Sequence, residues 1–349
     1  MAELDEAPDA ATLIEAYYDA GWTDGLPVVP PTEASITAML AGAGLCGDEV
    51  VGEIAGRNAA VTAEKLAINA VLAGCRPEYA PVVAAAVRAL CAPGFAYHGP
   101  ASSTGGSAIV LIVGGPIARR IGLNSGNNAF GQGHRPNATI GRAVRLVMMN
   151  ALNTRPGLLD RATFGNPGKY SFCFAENEDG HPWEPLHVAR GLAREDSAVT
   201  VCASNSLYQV YNQLAATPEP LLLCMADALG NLGSPNLRGF NESLVVFAGE
   251  HAELLATSGW SRKDVQRFLM EHTRRSVADL KRAGRLSGAV AGADETVWRY
   301  VFEAPEDILI AFAGGRAGSW SACLPGWGKK WTRSVTVRVD APPVNRRTA

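Results

Sequence analysis

Apolar and polar positions along the chain divide it into helical and extended stretches. Thr12 to Trp22 reads as a short amphipathic helix. TDGLPVVPPT, Thr23 to Thr32, follows with three prolines, which force an extended path. Thr32 then sits as an N-cap before a helix from Glu33 to Leu40. Thr62 caps a longer helix through Ala73, with Glu64 in its first turn; Gly74 ends it and Pro77 opens another that runs to about Leu90. Ile109 to Val113 is an unbroken β-branched and leucine run closed by Gly114-Gly115, the pattern of a strand buried on both faces.

The pattern then returns. AIVLIVGGPIARRIG, Ala108 to Gly122, resembles SLVVFAGEHAELLAT, Ser243 to Thr257. In each, an apolar strand meets a glycine, Gly115 or Gly249, and a short helix carrying Ala118 or Ala252. A further helix follows each, Gly141 to Leu152 and Ser261 to Arg274, and another precedes each, Pro77 to Leu90 and Pro218 to Leu229. Strands that end in glycine are common in α/β proteins, so coincidence is the competing explanation. The expected architecture is α/β: mixed sheets with flanking helices in two pseudo-repeated halves. The expected divisions are an N-terminal helical and extended arm over residues 1–60, a first half over 61–200 and a second over 201–349. Strands from Asp307 to Ala313 and from Ser334 to Val339 complete the sheet, and a ligand site is expected between the halves.

Composition narrows the class. The 349 residues are 47% hydrophobic and 19% charged with a formal net charge of −3, so a nucleic-acid surface or a polybasic membrane patch is not expected. No apolar run spans a bilayer, and the acidic N-terminus lacks a signal-peptide pattern. Seven irregularly spaced cysteines read as reduced thiols, which points to the cytoplasm, and no CxxC or HExxH marks a zinc site.

Candidate chemistry begins at GKYSFCFAENEDGHPWEPLH, Gly168 to His187. As a strand, KYSFCFA places Tyr170, Phe172 and Phe174 on one face and Ser171, Cys173 and Ala175 on the other. The small face either packs closely against a helix or opens onto a cavity, and a cysteine there is either a small buried hydrophobe or a nucleophile. Glu176, Asn177 and Glu178 end the strand, where sites of α/β sheets gather. His187, with His181 nearby, would raise the thiolate fraction of Cys173, and Glu176 or Glu178 would orient the histidine or carry a proton.

A second candidate is the Asn/Gly-rich loop that starts at Asn124 and runs into a helix near Pro136. Asn137 or Thr139 would cap that helix, and Arg135 with Asn124, Asn127, Asn128 and Asn137 would hold an anionic substrate. Arg142 and Arg145 share one face of the helix and are either solvated or paired. The segment is neither GxGxxG nor GxxxxGK[ST], so a dinucleotide or P-loop site is not expected. Glycine-rich turns at His98–Gly106 and Ala313–Ser319 offer backbone donors for a developing oxyanion, with His98, Ser103 and Thr104 as polar liners. A divalent metal held by Glu176 with His187, or by His98 with His251, is the alternative to a site without cofactor.

GWTDGLPVVPPT (Gly21 to Thr32), AEKLAINAVLAGCRPEYAPVV (Ala63 to Val83) and GKYSFCFAENE with PWEPLH resemble a bacterial family of unassigned activity. Its longer relatives carry a small redox-type domain with a selenocysteine- or cysteine-Gly-Ser-Cys motif, and the likeness extends to GGRAGSWSACLPGWG, Gly314 to Gly328. The resemblance implies a link to thiol or selenol chemistry. This chain has no such motif; Ser319-Trp-Ser-Ala-Cys323 lacks the first cysteine, so any redox partner is a separate protein.

Together these readings predict a lyase or hydrolase without cofactor, acting on a small anionic metabolite as a homodimer. Cys173 would be the nucleophile, His187 its activator, Glu176 or Glu178 the proton carrier, Arg135 and the asparagine loop the anion holder, and Thr104 to Gly106 the oxyanion donors. A metal-dependent lyase built on Glu176, Glu178 and a histidine, and a non-catalytic module that presents a ligand to a redox protein, are the competing expectations.

Overall fold

A computed structural model describes residues 9–179, 182–238, 242–327 and 332–340. Twelve strands occur among them: β1 Val50–Ile54, β2 Ala59–Thr62, β3 Ala108–Gly114, β4 Cys173–Ala175, β5 Ala198–Ser204, β6 Tyr208–Tyr211, β7 Ser243–Phe247, β8 Arg274–Ser276, β9 Trp298–Tyr300, β10 Ile308–Phe312, β11 Trp320–Leu324 and β12 Val335–Arg338. Two four-stranded mixed sheets form the centre, in the orders β4-β3-β5-β12 and β10-β7-β11-β6.

Side-chain alternation explains how these sheets stack. Val110, Ile112, Phe172 and Phe174 of the first sheet share one apolar cluster with Leu244, Val246, Leu309 and Ala311 of the second. The opposite face of the first sheet, with Ile109, Leu111, Val113 and Cys173, packs on helices Ala63–Leu72, Ala80–Cys91 and Arg135–Asn150. The outer face of the second, with Val245, Phe247, Ile308 and Ile310, packs on helices Pro218–Leu229, Gly249–Thr257 and Arg262–His272. The protein is thus α/β, in four layers, helix–sheet–sheet–helix. Burial on both faces is why β3 is apolar throughout and β7 is apolar after Ser243.

The two sheets follow one plan. In each, the edge strand runs parallel to its neighbour (β4 to β3, β10 to β7), the next is antiparallel, and the last is antiparallel again. In each half two helices follow the first of these strands, Pro116–Arg120 and Arg135–Asn150 after β3 and Gly249–Thr257 and Arg262–His272 after β7; the second half adds β8, the helix Val277–Arg282 and β9 before β10. The fourth strands are exchanged: β6, which follows β5, pairs with β11, and β12, which follows β11, pairs with β5. The expected boundary at 200/201 therefore falls inside β5 rather than between halves. The described residues of the expected arm over 1–60 are likewise not separate: Glu33–Ala43 packs on Ala63–Leu72, and β1 pairs with β2.

Helix positions follow the local signals with small shifts. Thr32 and Thr62 cap as expected, accepting from Ser35 N–H and Lys65 N–H. The first helix is Ala10–Asp19, because Asp9 accepts from Thr12 N–H and starts it earlier. The strand expected from Lys169 is shorter, since Pro167–Lys169 forms a 3-10 turn and Tyr170 projects outward. Among the described residues no helix is long and apolar enough to cross a membrane.

Candidate functional site

Cys173 lies in the core. It pairs with Leu111 across β4 and β3 and is 4% exposed, on the sheet face that meets the helices. That face is packed closely: a Cβ on Gly141 would stand 2.3 Å from Ser171 Oγ. Burial pushes the Cys173 thiol far above its ordinary range. His187 sits on the other side of the sheet, because a Cβ on Gly114 would meet its Nδ1, and Gly114 alternates away from Leu111 and Cys173. The expected Cys173–His187 pair does not form, since the sheet stands between them. In iodoacetamide labelling followed by mass spectrometry, the exposed Cys46 and Cys224 should react while Cys173 stays unlabelled until the protein unfolds. Rapid labelling of native Cys173 would restore the nucleophile.

Glu176, Glu178 and His187 do come together, at the carboxyl end of β3 and β4. Glu178 Oε1 accepts from Gly115 N–H and lies 3.8 Å from His187 Nδ1. Gly115 is required there: its φ is +85°, and an added Cβ would sit 2.1 Å from Asp196 O. Glu176 Oε2 accepts from Leu186 N–H at 2.7 Å, while Oε1, both His187 ring nitrogens and Arg262 Nε are buried without hydrogen-bond partners. Burial raises the Glu176 carboxyl to about 8, against the pull of Leu186 N–H and Arg262. This cluster joins the halves, with Asn177 N–H donating to Phe312 O and Arg262 to Ile310 O and Glu184 O. His181 lies outside the described residues. No three metal-ligating side chains converge here or elsewhere among the described residues.

The expected anion holders serve the chain itself. Arg135 donates from Nε and a terminal nitrogen to Gly74 O, at 3.1 and 2.9 Å, which closes the end of the helix Ala63–Leu72. Asn137 does not cap its helix, whose N-cap is His134; it exchanges two hydrogen bonds with the Asn124 backbone at 2.8 and 2.9 Å. Asn124 also binds Asn127 O, and Asn128 binds Gln132 O, so the loop is held by its own amides. Thr104 to Gly106 precede β3 and so lie at its amino end, about 20 Å from Glu178 by strand rise. His98 is exposed and accepts from Arg57, whereas His251 is buried against Ser321 and Asn212 in the other half. A cavity of about 430 Å³ does open at the carboxyl ends of β7 and β10, but its charged lining is limited to the exposed Asp179, Glu253 and Arg316.

The strongest concentration of chemistry is elsewhere. A cleft of about 990 Å³ opens between the Gly21–Gly25 turn, the helix Arg135–Asn150 and the segment from Arg155 to Tyr170. Lys169, at the end of its 3-10 turn, donates to both oxygens of Asp160 at 2.7 and 2.6 Å. Arg145 Nε donates to Lys169 O at 2.7 Å, and its guanidinium lies 3.9 Å from Asp160. Burial lowers the Arg145 pKa and Asp160 raises it. Arg155 is anchored on Gly21 O. Asp24, also on the lining, is already matched by a two-point ion pair with Arg142 at 2.8 Å. Asp160 is therefore the one lining carboxylate left facing Arg145, Arg155 and Lys169.

The signal for this cleft was present but not used for chemistry. Asp24 lies in GWTDG and Lys169 in GKYSFCF, two of the stretches that carry the family resemblance, and Arg142 and Arg145 are paired rather than solvated. Asp24 lies more than 100 positions from Arg142, Arg145 and Lys169, so no local pattern joins it to them. Compared with known proteins, no protein-family model matches the chain, and no curated protein matches it.

Proposed function

We propose that the protein is a lyase or hydrolase that acts on a small carboxylate in the cleft floored by Arg145, Asp160 and Lys169, without a nucleotide cofactor. The observation that carries this reading is that three cations, Arg145, Arg155 and Lys169, line one large open cleft while a single carboxylate, Asp160, is shared between two of them. A guanidinium presents a planar fork to a carboxylate, so Arg145 and Arg155 hold the substrate's anionic end. The Lys169 ammonium, fixed by Asp160, stabilises negative charge that develops on the bound substrate. Cys173 takes no part, and Glu176, Glu178 and His187 hold the carboxyl ends of the two halves together. Membership of the bacterial family that accompanies selenocysteine- or cysteine-Gly-Ser-Cys domains, and assembly as a homodimer, belong to the same reading.

Titration of a carboxylate panel against wild type, Lys169→Met and Arg145→Gln tests it. Each variant should weaken carboxylate binding by roughly 10- to 100-fold, the worth of a hydrogen bond to a charged group. Unchanged affinity in both variants would remove the cleft as the site. Tight binding with no turnover of any bound carboxylate would favour the competing role, a module that presents its ligand to a separate thiol or selenol protein.

A further inference from the structure

The cleft's mouth differs in kind from its floor. Phe164 is 100% exposed, and Leu158, Tyr18 and Tyr170 are 63%, 59% and 53% exposed; all four line this one cleft. Singly scattered surface hydrophobes are ordinary, but four large ones around a single opening mark a place where an apolar body is covered. One of them, Tyr170, is held close to the charged floor by the chain itself, since it follows Lys169 directly. Phe164 and Leu158 belong to a segment bounded by Gly157 and Gly165, both at φ +78° and both with open space where a Cβ would be. On the floor, Asp160 offsets one of the three positive charges, holding Lys169 through both its oxygens.

We propose that the cleft takes an aromatic monocarboxylate, its carboxylate on Arg145 and Arg155 beside Lys169 and its ring covered by Phe164 and Tyr170. This substrate class rests on the reading of the cleft as a carboxylate site. Offset or edge-on ring packing against Phe164 and Tyr170 provides affinity that an aliphatic acid of one or two carbons lacks. Phosphate and a tricarboxylate carry more charge but no ring, so they gain nothing from the aromatic mouth.

The test is an NMR titration of the full chain with acetate, 3-phenylpropionate, inorganic phosphate and citrate, repeated on Phe164→Ala. That side chain is wholly exposed, so its removal does not endanger the fold. The expected result is 3-phenylpropionate binding at least about tenfold tighter than acetate, with Phe164→Ala losing most of that advantage. Phosphate or citrate binding most tightly, or an advantage that survives Phe164→Ala, overturns the aromatic class while leaving the carboxylate site standing. If no carboxylate perturbs the cleft resonances, the underlying reading fails and this proposal fails with it.

Discussion

Asp160→Asn is expected to lower folding stability by roughly 3–5 kcal/mol and, in the same protein, to tighten carboxylate binding in the cleft. The physical cause of both effects is one deletion of charge. Asp160 is 8% exposed and accepts from Lys169 on both oxygens, with the buried Arg145 guanidinium 3.9 Å away. Asparagine keeps the shape but leaves two partly buried cations without their counter-charge, and removing one partner of a buried ion pair is strongly destabilising. An anionic ligand then supplies the missing charge, so added carboxylate should recover part of the lost stability by mass action. Urea denaturation with and without ligand measures the first effect, and direct titration the second. A destabilised variant whose carboxylate affinity falls would mean that Asp160 itself touches the ligand. A variant as stable as wild type would show that water already screens the network.

The second large effect concerns pH. Burial holds the Glu176 carboxyl at about 8, well above an ordinary glutamate, and the groups that face it are Arg262, Glu178 and the Leu186 N–H, with His187 in the same cluster. A carboxyl whose folded pKa is raised keeps its proton in the folded state after the unfolded chain has lost it. Stability should therefore fall as pH rises from about 4.5 to about 8, by up to about 1.4 kcal/mol per pH unit, and then level off. Burial raises Glu242 as well, which adds a slope of the same sign. Glu176→Gln retains an acceptor for Leu186 N–H and removes the titration, so it should flatten much of the slope and leave the variant more stable than wild type at pH 8 to 9. Denaturation midpoints measured across pH 5 to 9 decide this. An unchanged slope in the glutamine variant would assign the titration to Glu242 or another group.

Much of the candidate chemistry misread from the chain turns on facing. Cys173 and Glu176 are three residues apart, an odd spacing, so a continuing strand sends them to opposite sides of the sheet. That parity was legible and argued against a thiol that shares one site with Glu176. The choice between a small face that packs on a helix and one that lines a cavity was not legible, because it depends on Gly141, which stands against Ser171 and Phe172 from another helix. Arg135 and Asn137 looked like ligand holders for a similar reason. Their types suit anion binding, but the carbonyl of Gly74 and the backbone of Asn124 reach them first.

Local pattern was enough to establish the helix starts at Thr32 and Thr62, the doubly buried strand before Gly114, the α/β class and the recurrence of strand, glycine and helix in the two halves. These depend on periodicity, capping and backbone freedom, which act within a few residues. The exchange of β6 and β12 between the sheets, the stacking of the two sheets through Phe172, Phe174, Val246 and Leu309, and the gathering of Asp24, Arg145, Asp160 and Lys169 at one cleft came only from the tertiary structure. The Arg142 to Asp24 pair spans 118 positions. A strand carries no mark of which sheet edge it will join, and a charge carries no mark of which distant opposite charge will match it, because both are selected by the packing of the whole chain.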